Sequence, residues 1–233
     1  MGKDKIRRFA ELHTFAHVIE SDIDEVLKSD HPIKGNWHKQ RFNNSNPIVL
    51  ELGCGKGEYT VNLAKIYSQK NFIGVDIKGN RMWVGAKQAI DGNLQNANFL
   101  RTRIEFISAF FEPNEVSEIW VTFPDPQPTQ RRKKKRLTSS LFLNKYKLFL
   151  KEDGIIHLKT DSDLLYEYTL QLIQKNKLAI IYNVPDLYNS ELVDLTYGVK
   201  THYEQLFLAK GQPIHYLQFS LKGCSLVEEL EDE

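Results

Sequence analysis

Ile48-Val-Leu-Glu-Leu-Gly-Cys-Gly-Lys-Gly57 decides the fold. An apolar run broken only by Glu51 leads into Gly53, Gly55 and Gly57, and Glu58 to Tyr67 then follows a helical period. A buried strand, a glycine turn and a helix in that order make the first unit of a parallel α/β sheet. Glycines at such a turn allow a tight bend and let backbone amides come close to a ligand.

The same alternation continues outward. Strands are predicted at 71–77, 99–104, 118–123, 154–160, 179–183 and 214–221, with helices at 81–90, 139–150, to about 174, and around 202–209. Strands alternating with helices predict a largely parallel sheet covered on both faces, hence an α/β fold. Upstream, residues 1–45 read as an arm and residues 46–233 as the main domain. Phe9, Leu12, Phe15, Val18 and Ile19 fall at roughly helical spacing and predict one short helix. The rest of the arm is expected to be a solvated extension with a few anchors. Its Lys and Arg content also offers a substrate-contacting reading.

Composition narrows the partners. The formal net charge is +1, so only local clusters of charge can select a polyanion. Two cysteines, Cys54 and Cys224, form neither a metal cluster nor a disulfide framework, and no metal is expected. Cys54 reads as a filler between glycines. With no leader-like or membrane-length apolar run, a soluble cytoplasmic protein is expected, with no membrane partner.

In a sheet of this kind ligands bind beyond the carboxyl ends of the strands. Asp76 ends the second strand roughly 20 residues after the loop, where an acid accepts ribose hydroxyls. A nicotinamide dinucleotide would use the same acid, but the dinucleotide fingerprint places its third glycine one residue later. Glu51 also repels a pyrophosphate and suits the α-ammonium of a methionine moiety. Glu51, Gly53, Gly55, Gly57 and Asp76 therefore favour S-adenosylmethionine over NAD.

A second cluster follows the fourth strand. Thr122-Phe-Pro-Asp-Pro-Gln-Pro128 fixes Asp125 between prolines, which bias it toward extended backbone. The run Arg131-Arg132-Lys133-Lys134-Lys135-Arg136 comes almost at once. A rigid carboxylate stands beside a strip suited to phosphates.

Glu51 to Gly57, Phe72 to Lys78, Phe123-Pro-Asp-Pro126, Lys134 to Leu137, Leu158-Lys-Thr-Asp161 and Thr201-His-Tyr-Glu204 resemble the tRNA (guanine-N7)-methyltransferase family. The resemblance implies a Rossmann-like class I methyltransferase with a largely parallel seven-stranded sheet, its last strand antiparallel. It implies methyl transfer from S-adenosylmethionine to N7 of the guanosine at position 46, in the tRNA variable loop, by a monomer or homodimer. Asp125, at the end of the fourth strand beside the expected donor, is the candidate catalytic and donor-site acid, either compensating the charge that passes to guanine or selecting the base through its N1–H and N2–H. The resemblance marks Thr129, Asp161, Thr201, His202, Tyr203 and Glu204 as substrate contacts, and residues 131–136 as RNA contacts. Thr201 and Glu204 also carry the S/T-x-x-E signature of a helix capping box. Gln127 and Thr129 stand where the family usually has tryptophan and lysine, and Arg103 where it has an acid or amide near the adenine. A non-catalytic tRNA-binding protein on the same fold is the alternative reading.

Overall fold

A computed structural model describes residues 3–196 and 198–231, the side chains of residues 3, 194, 195, 202 and 203 excepted. The chain forms two compact units, one within Met1–Val116 and one within Ser117–Glu233.

The first unit opens with helix α1, Lys3–Leu12, followed by the short strand β1, Val18–Glu20, and the single-turn helix α2, Ile23–Val26. Then come β2, Ile48–Leu52; α3, Glu58–Ile66; β3, Asn71–Asp76; α4, Gly79–Asp91; and β4, Ala97–Arg101. The strands lie in the order β1-β4-β3-β2, and all three pairings are parallel. Every residue of β2 is buried, as expected for a strand covered on both faces. Glycines let the layers close up. A Cβ on Gly85 of α4 would sit 2.5 Å from the Lys56 carbonyl, and one on Gly57 would sit 2.6 Å from the Phe99 ring. Helix α4 therefore reaches the glycine loop only because Gly85 has no side chain.

In the second unit, β5, Val116–Thr122 (its first residue belonging to the first unit), is followed by α5, Ser140–Tyr146, β6, Leu150–Thr160, and α6, Asp163–Lys175. The chain continues through β7, Ala179–Val184, α7, His202–Ala209, and β8, His215–Ser220. Strand β8 lies between β6 and β7 and runs antiparallel to both. The predicted reversal of the last strand is thus present.

Two expectations need correction. The described residues hold eight strands rather than seven, and the extra one comes from the arm. Val18 and Ile19 do not continue the first helix, which ends at Leu12; they pair with Phe99 and Leu100 along the edge of β4. Much of the arm is exposed, and it carries the few anchors expected of it. Leu12, Ile33 and Trp37 are buried, and Trp37 stacks on Phe111 at 5.3 Å while donating Nε1–H to the Phe110 carbonyl. Helix α1 is tied to α4 by Trp83 Nε1–H donating to Glu11, with the Arg7 and Arg8 guanidinium groups over the Trp83 ring. Leu12→Ala should therefore cost about 2–5 kcal/mol of stability in urea denaturation. A loss near zero would contradict the anchoring of the arm through Leu12.

Candidate functional site

The glycine loop hangs on the end of β3. The Gly53 and Cys54 amides both donate to the Val75 carbonyl, at 2.8 and 3.0 Å, and the Gly55 amide donates to Asp76 Oδ2 at 2.9 Å. Gly53, Gly55 and Gly57 all adopt positive φ, which side-chain-bearing residues reach only with strain. A Cβ built on Gly55 would meet nothing closer than 4.0 Å, so the loop presents open backbone there. Asp76 Oδ1 accepts from the Lys78 amide, which fixes the carboxylate at the strand end.

Glu51 lies behind the loop at 5% exposure, and its Oε2 accepts from the Thr60 amide at 2.8 Å and the Thr60 hydroxyl at 2.5 Å. Gly57, at the N-cap of α3, has no side chain to cap the helix, and Glu51 supplies the acceptor from the neighbouring strand. Cys54 is buried, and desolvation followed by the nearby Glu51 and Asp76 charges pushes its thiol well up. It stays protonated and fills space, as the sequence suggested. Open backbone, a fixed strand-end acid and a second negative charge behind the loop fit S-adenosylmethionine, whose ribose hydroxyls and ammonium need those groups. Arg103 is exposed and opens a 3₁₀ turn, Ile104–Ala109.

In the second unit, Asp125 is exposed and its Oδ1 accepts from the Gln127 amide at 3.0 Å. On either side of Pro124-Asp125-Pro126, Phe123 and Gln127 adopt φ of 47° and 46°. Left-handed backbone at two non-glycine residues costs on the order of 1–3 kcal/mol each and persists only where surroundings impose it. Two restraints are visible. The Phe123 amide donates to the Lys159 carbonyl at 2.8 Å. Arg136 donates Nε–H to the Pro126 carbonyl at 3.1 Å and Nη2–H to the Gln127 carbonyl at 3.2 Å.

The basic strip divides. Residues 130–135 form a 3₁₀ turn, in which positions three apart share a side. Lys133 and Arg136 accordingly point inward, at 5% exposure each, and Lys133 Nζ donates to the Leu230 carbonyl. Arg131, Arg132, Lys134 and Lys135 are exposed. The expected six-cation face thus presents four. Thr129, at the head of the turn, is exposed and makes no side-chain cap.

Asp161 follows β6 and is half-buried; burial is the main cause that raises its carboxyl above the ordinary range. Thr201 and Glu204 form the capping box: Thr201 Oγ1 accepts from the Glu204 amide, and Glu204 Oε2 accepts from the Thr201 amide, both at 3.2 Å. Glu204 has no exposure, and its Oε1 meets Lys159 Nζ at 2.5 Å and the Tyr188 hydroxyl at 2.7 Å. Fully buried, it anchors the start of α7. The side chains of His202 and Tyr203 lie outside the described residues. Burial pulls the Lys159 ammonium below its ordinary value, with Glu204 opposing. Tyr188 and the inward role of Arg136 carried no sequence signal beyond apolar flanks and the three-residue spacing from Lys133, and Lys159 lay within the Leu158-Lys-Thr-Asp161 motif with no role read for it.

A family model described as "Putative methyltransferase" matches residues 45–217. Among solved structures, the 16S rRNA methyltransferase KamB aligns with a TM-score of 0.59 at 14% identity, covering 78% of this chain and 91% of its own. The 16S rRNA (adenine(1408)-N(1))-methyltransferase of Catenulisporales acidiphilia aligns at 0.56 and 13% identity, over 91% and 96%. The fold is therefore the Rossmann-like class I methyltransferase fold. The tRNA (guanine-N(7)-)-methyltransferase of Bacteroides thetaiotaomicron is 48% identical over all of this chain and 92% of its own length. That of Christiangramia forsetii is 50% identical over 95% and 99%, and that of Pediococcus pentosaceus 36% over 86% and 93%. The chain belongs to the tRNA (guanine-N7)-methyltransferase family.

Asp161 yields a test with a defined sign. A carboxyl whose folded pKa is raised holds its proton more tightly in the folded state, so its contribution to stability falls as pH rises through that pKa. At neutral pH the charged form is a cost. Asp161→Asn should raise the melting temperature at pH 7, less so at pH 4, while lowering methyl transfer. An unchanged melting temperature at pH 7 would contradict the desolvated carboxyl.

Proposed function

We propose that this protein methylates N7 of a guanosine in tRNA, at position 46 of the variable loop, using S-adenosylmethionine. The observation that carries the reading is the strained turn around Asp125, which holds an exposed carboxylate in one geometry beside four exposed cations. Near full-length similarity to curated tRNA (guanine-N(7)-)-methyltransferases supports the same reaction. The alternative of a non-catalytic tRNA-binding protein is disfavoured by the complete donor loop, Asp76 and Asp125.

Bound S-adenosylmethionine supplies an electrophilic methyl group. Asp76 and the amides of the glycine loop hold the donor, and Glu51 contributes negative charge behind the loop. Guanine N7 carries no hydrogen and needs no general base, so the enzyme's task is alignment and charge compensation. Asp125 stabilises the positive charge that develops on the purine. Asp161 and Thr201 orient the base, the first as an acceptor and the second through its hydroxyl; Thr129 is exposed toward substrate. N7 lies on the edge that side chains cannot reach in an A-form helix, so the target base must leave its stack.

Arg131, Arg132, Lys134 and Lys135 bind the phosphates that hold the RNA in register. Residues 46–233 carry the reaction, and the arm adds tRNA contacts through exposed Lys5 and Arg7. The enzyme works as a monomer or homodimer in the cytoplasm. No helix among the described residues is long and apolar enough to cross a membrane.

Labelled S-adenosylmethionine should transfer its methyl to bulk tRNA, with chain cleavage by borohydride and aniline mapping to one variable-loop guanosine. No transfer to any tRNA bearing that guanosine would sink the reading. Reversing the four exposed cations to Glu should weaken tRNA binding and flatten its salt dependence. Equal affinity before and after would remove the strip from the RNA interface.

A further inference from the structure

The segment after β8 includes the acidic run Glu228-Glu229-Leu230-Glu231. In the structure it is strapped to α5 and α6 by paired polar contacts. Asn144 donates Nδ2–H to the Val227 carbonyl and accepts from the Val227 amide through Oδ1; Asn176 makes the same two bonds with Glu228. Lys175 Nζ donates to the Glu229 carbonyl at 2.8 Å. These contacts hold one side chain, Glu229, over a chain of interactions that ends at Asp125.

Glu229 Oε2 accepts from the Ser140 hydroxyl at 2.9 Å, and Glu229 Oε1 accepts from the Tyr168 hydroxyl at 2.8 Å. The Tyr168 ring is 5% exposed, and the Arg136 guanidinium sits over it at 4.3 Å. Arg136 in turn donates to the Pro126 and Gln127 carbonyls, and the Gln127 amide donates to Asp125. A guanidinium at 5% exposure whose bonds go to carbonyls needs a counter-charge, because burying an uncompensated cation is costly. Glu229 is the anion at the far end of this relay, and Tyr168 transmits it as both ring and hydroxyl.

We infer that Glu229 is a positioning residue for the catalytic turn, acting through Tyr168 and Arg136 on the Gln127 amide that orients Asp125. Arg136 is then a clamp on the turn rather than a phosphate contact. The inference rests on the catalytic reading of Asp125.

The test uses the full chain with Glu229→Ala, Glu229→Gln, Tyr168→Phe and the double variant Tyr168→Phe/Glu229→Ala. Three readouts are needed: kcat and KM for tRNA methylation, melting temperature, and amide hydrogen exchange at Gln127. Glu229→Ala and Tyr168→Phe should each lower kcat about tenfold with KM little changed, and each should speed exchange at Gln127. Glu229→Gln keeps an acceptor for the Tyr168 hydroxyl but removes the counter-charge, so it should lower kcat less than Glu229→Ala without restoring the wild-type rate. The double variant should be no slower than the slower single, because both break one chain.

Unchanged Gln127 exchange in both single variants would overturn the relay whatever happens to the rate. Fully additive losses of kcat, or losses that follow melting temperature alone, would overturn it as well. Faster exchange with wild-type kcat would instead overturn the catalytic reading of Asp125, and the proposal with it.

Discussion

The second unit depends on a pair of charges with no access to water. Lys159 and Glu204 meet at 2.5 Å with both side chains fully buried. Taking two ions out of water costs several kcal/mol each, and the pair survives only when the remaining lone pairs and protons are satisfied. They are satisfied here: Tyr188 and the Thr201 amide complete Glu204, and Lys159 Nζ also reaches the Val199 carbonyl. One residue thereby fixes two motifs. The Lys159 side chain holds the start of α7, while its carbonyl receives the amide of Phe123, where the strained turn begins. Thr201-His-Tyr-Glu204 and Phe123-Pro-Asp-Pro126 share this anchor.

Seen this way, the acids of the family motifs do different work. Glu51 and Glu204 are buried and serve helix starts, one capping α3 from a neighbouring strand and the other closing its own capping box. Asp76 shapes the glycine loop through the Gly55 amide and remains near the surface. Asp125 is exposed, and Asp161, like Asp76, is half-buried. The positive charges separate in the same manner, since Arg136 and Lys133 hold the protein together and their four neighbours remain exposed. A basic run read as one functional unit is thus two interleaved sets, sorted by the three-residue period of the turn.

What was legible in the sequence was what repeats or punctuates. The buried run before Gly53, the alternation of strands and helices and the capping box all announce themselves by period or by residue type, while the reversal of β8 came only through the family resemblance. Strand β1 did not announce itself, because a three-residue edge strand is too short for a period and its pairing with β4 is set by distant sequence. The packing of Trp37 on Phe111 was hidden for the same reason. Lys133 and Arg136 are chemically like their neighbours, so only the 3₁₀ geometry of residues 130–135 tells them apart. Glu229 sits in an acidic stretch whose composition suggests solvation, and its partners lie 61 and 89 positions away.

The central claim is that the carboxylate of Asp125 meets charge developing on the guanine. Single-turnover methyl transfer by Asp125→Asn, at saturating tRNA and donor, tests it most directly, because the amide keeps the size and the acceptor for Gln127 while removing the charge. The account predicts a rate lower by about a hundredfold with unchanged tRNA affinity. A wild-type rate, or a loss that appears only as weaker tRNA binding, would contradict it.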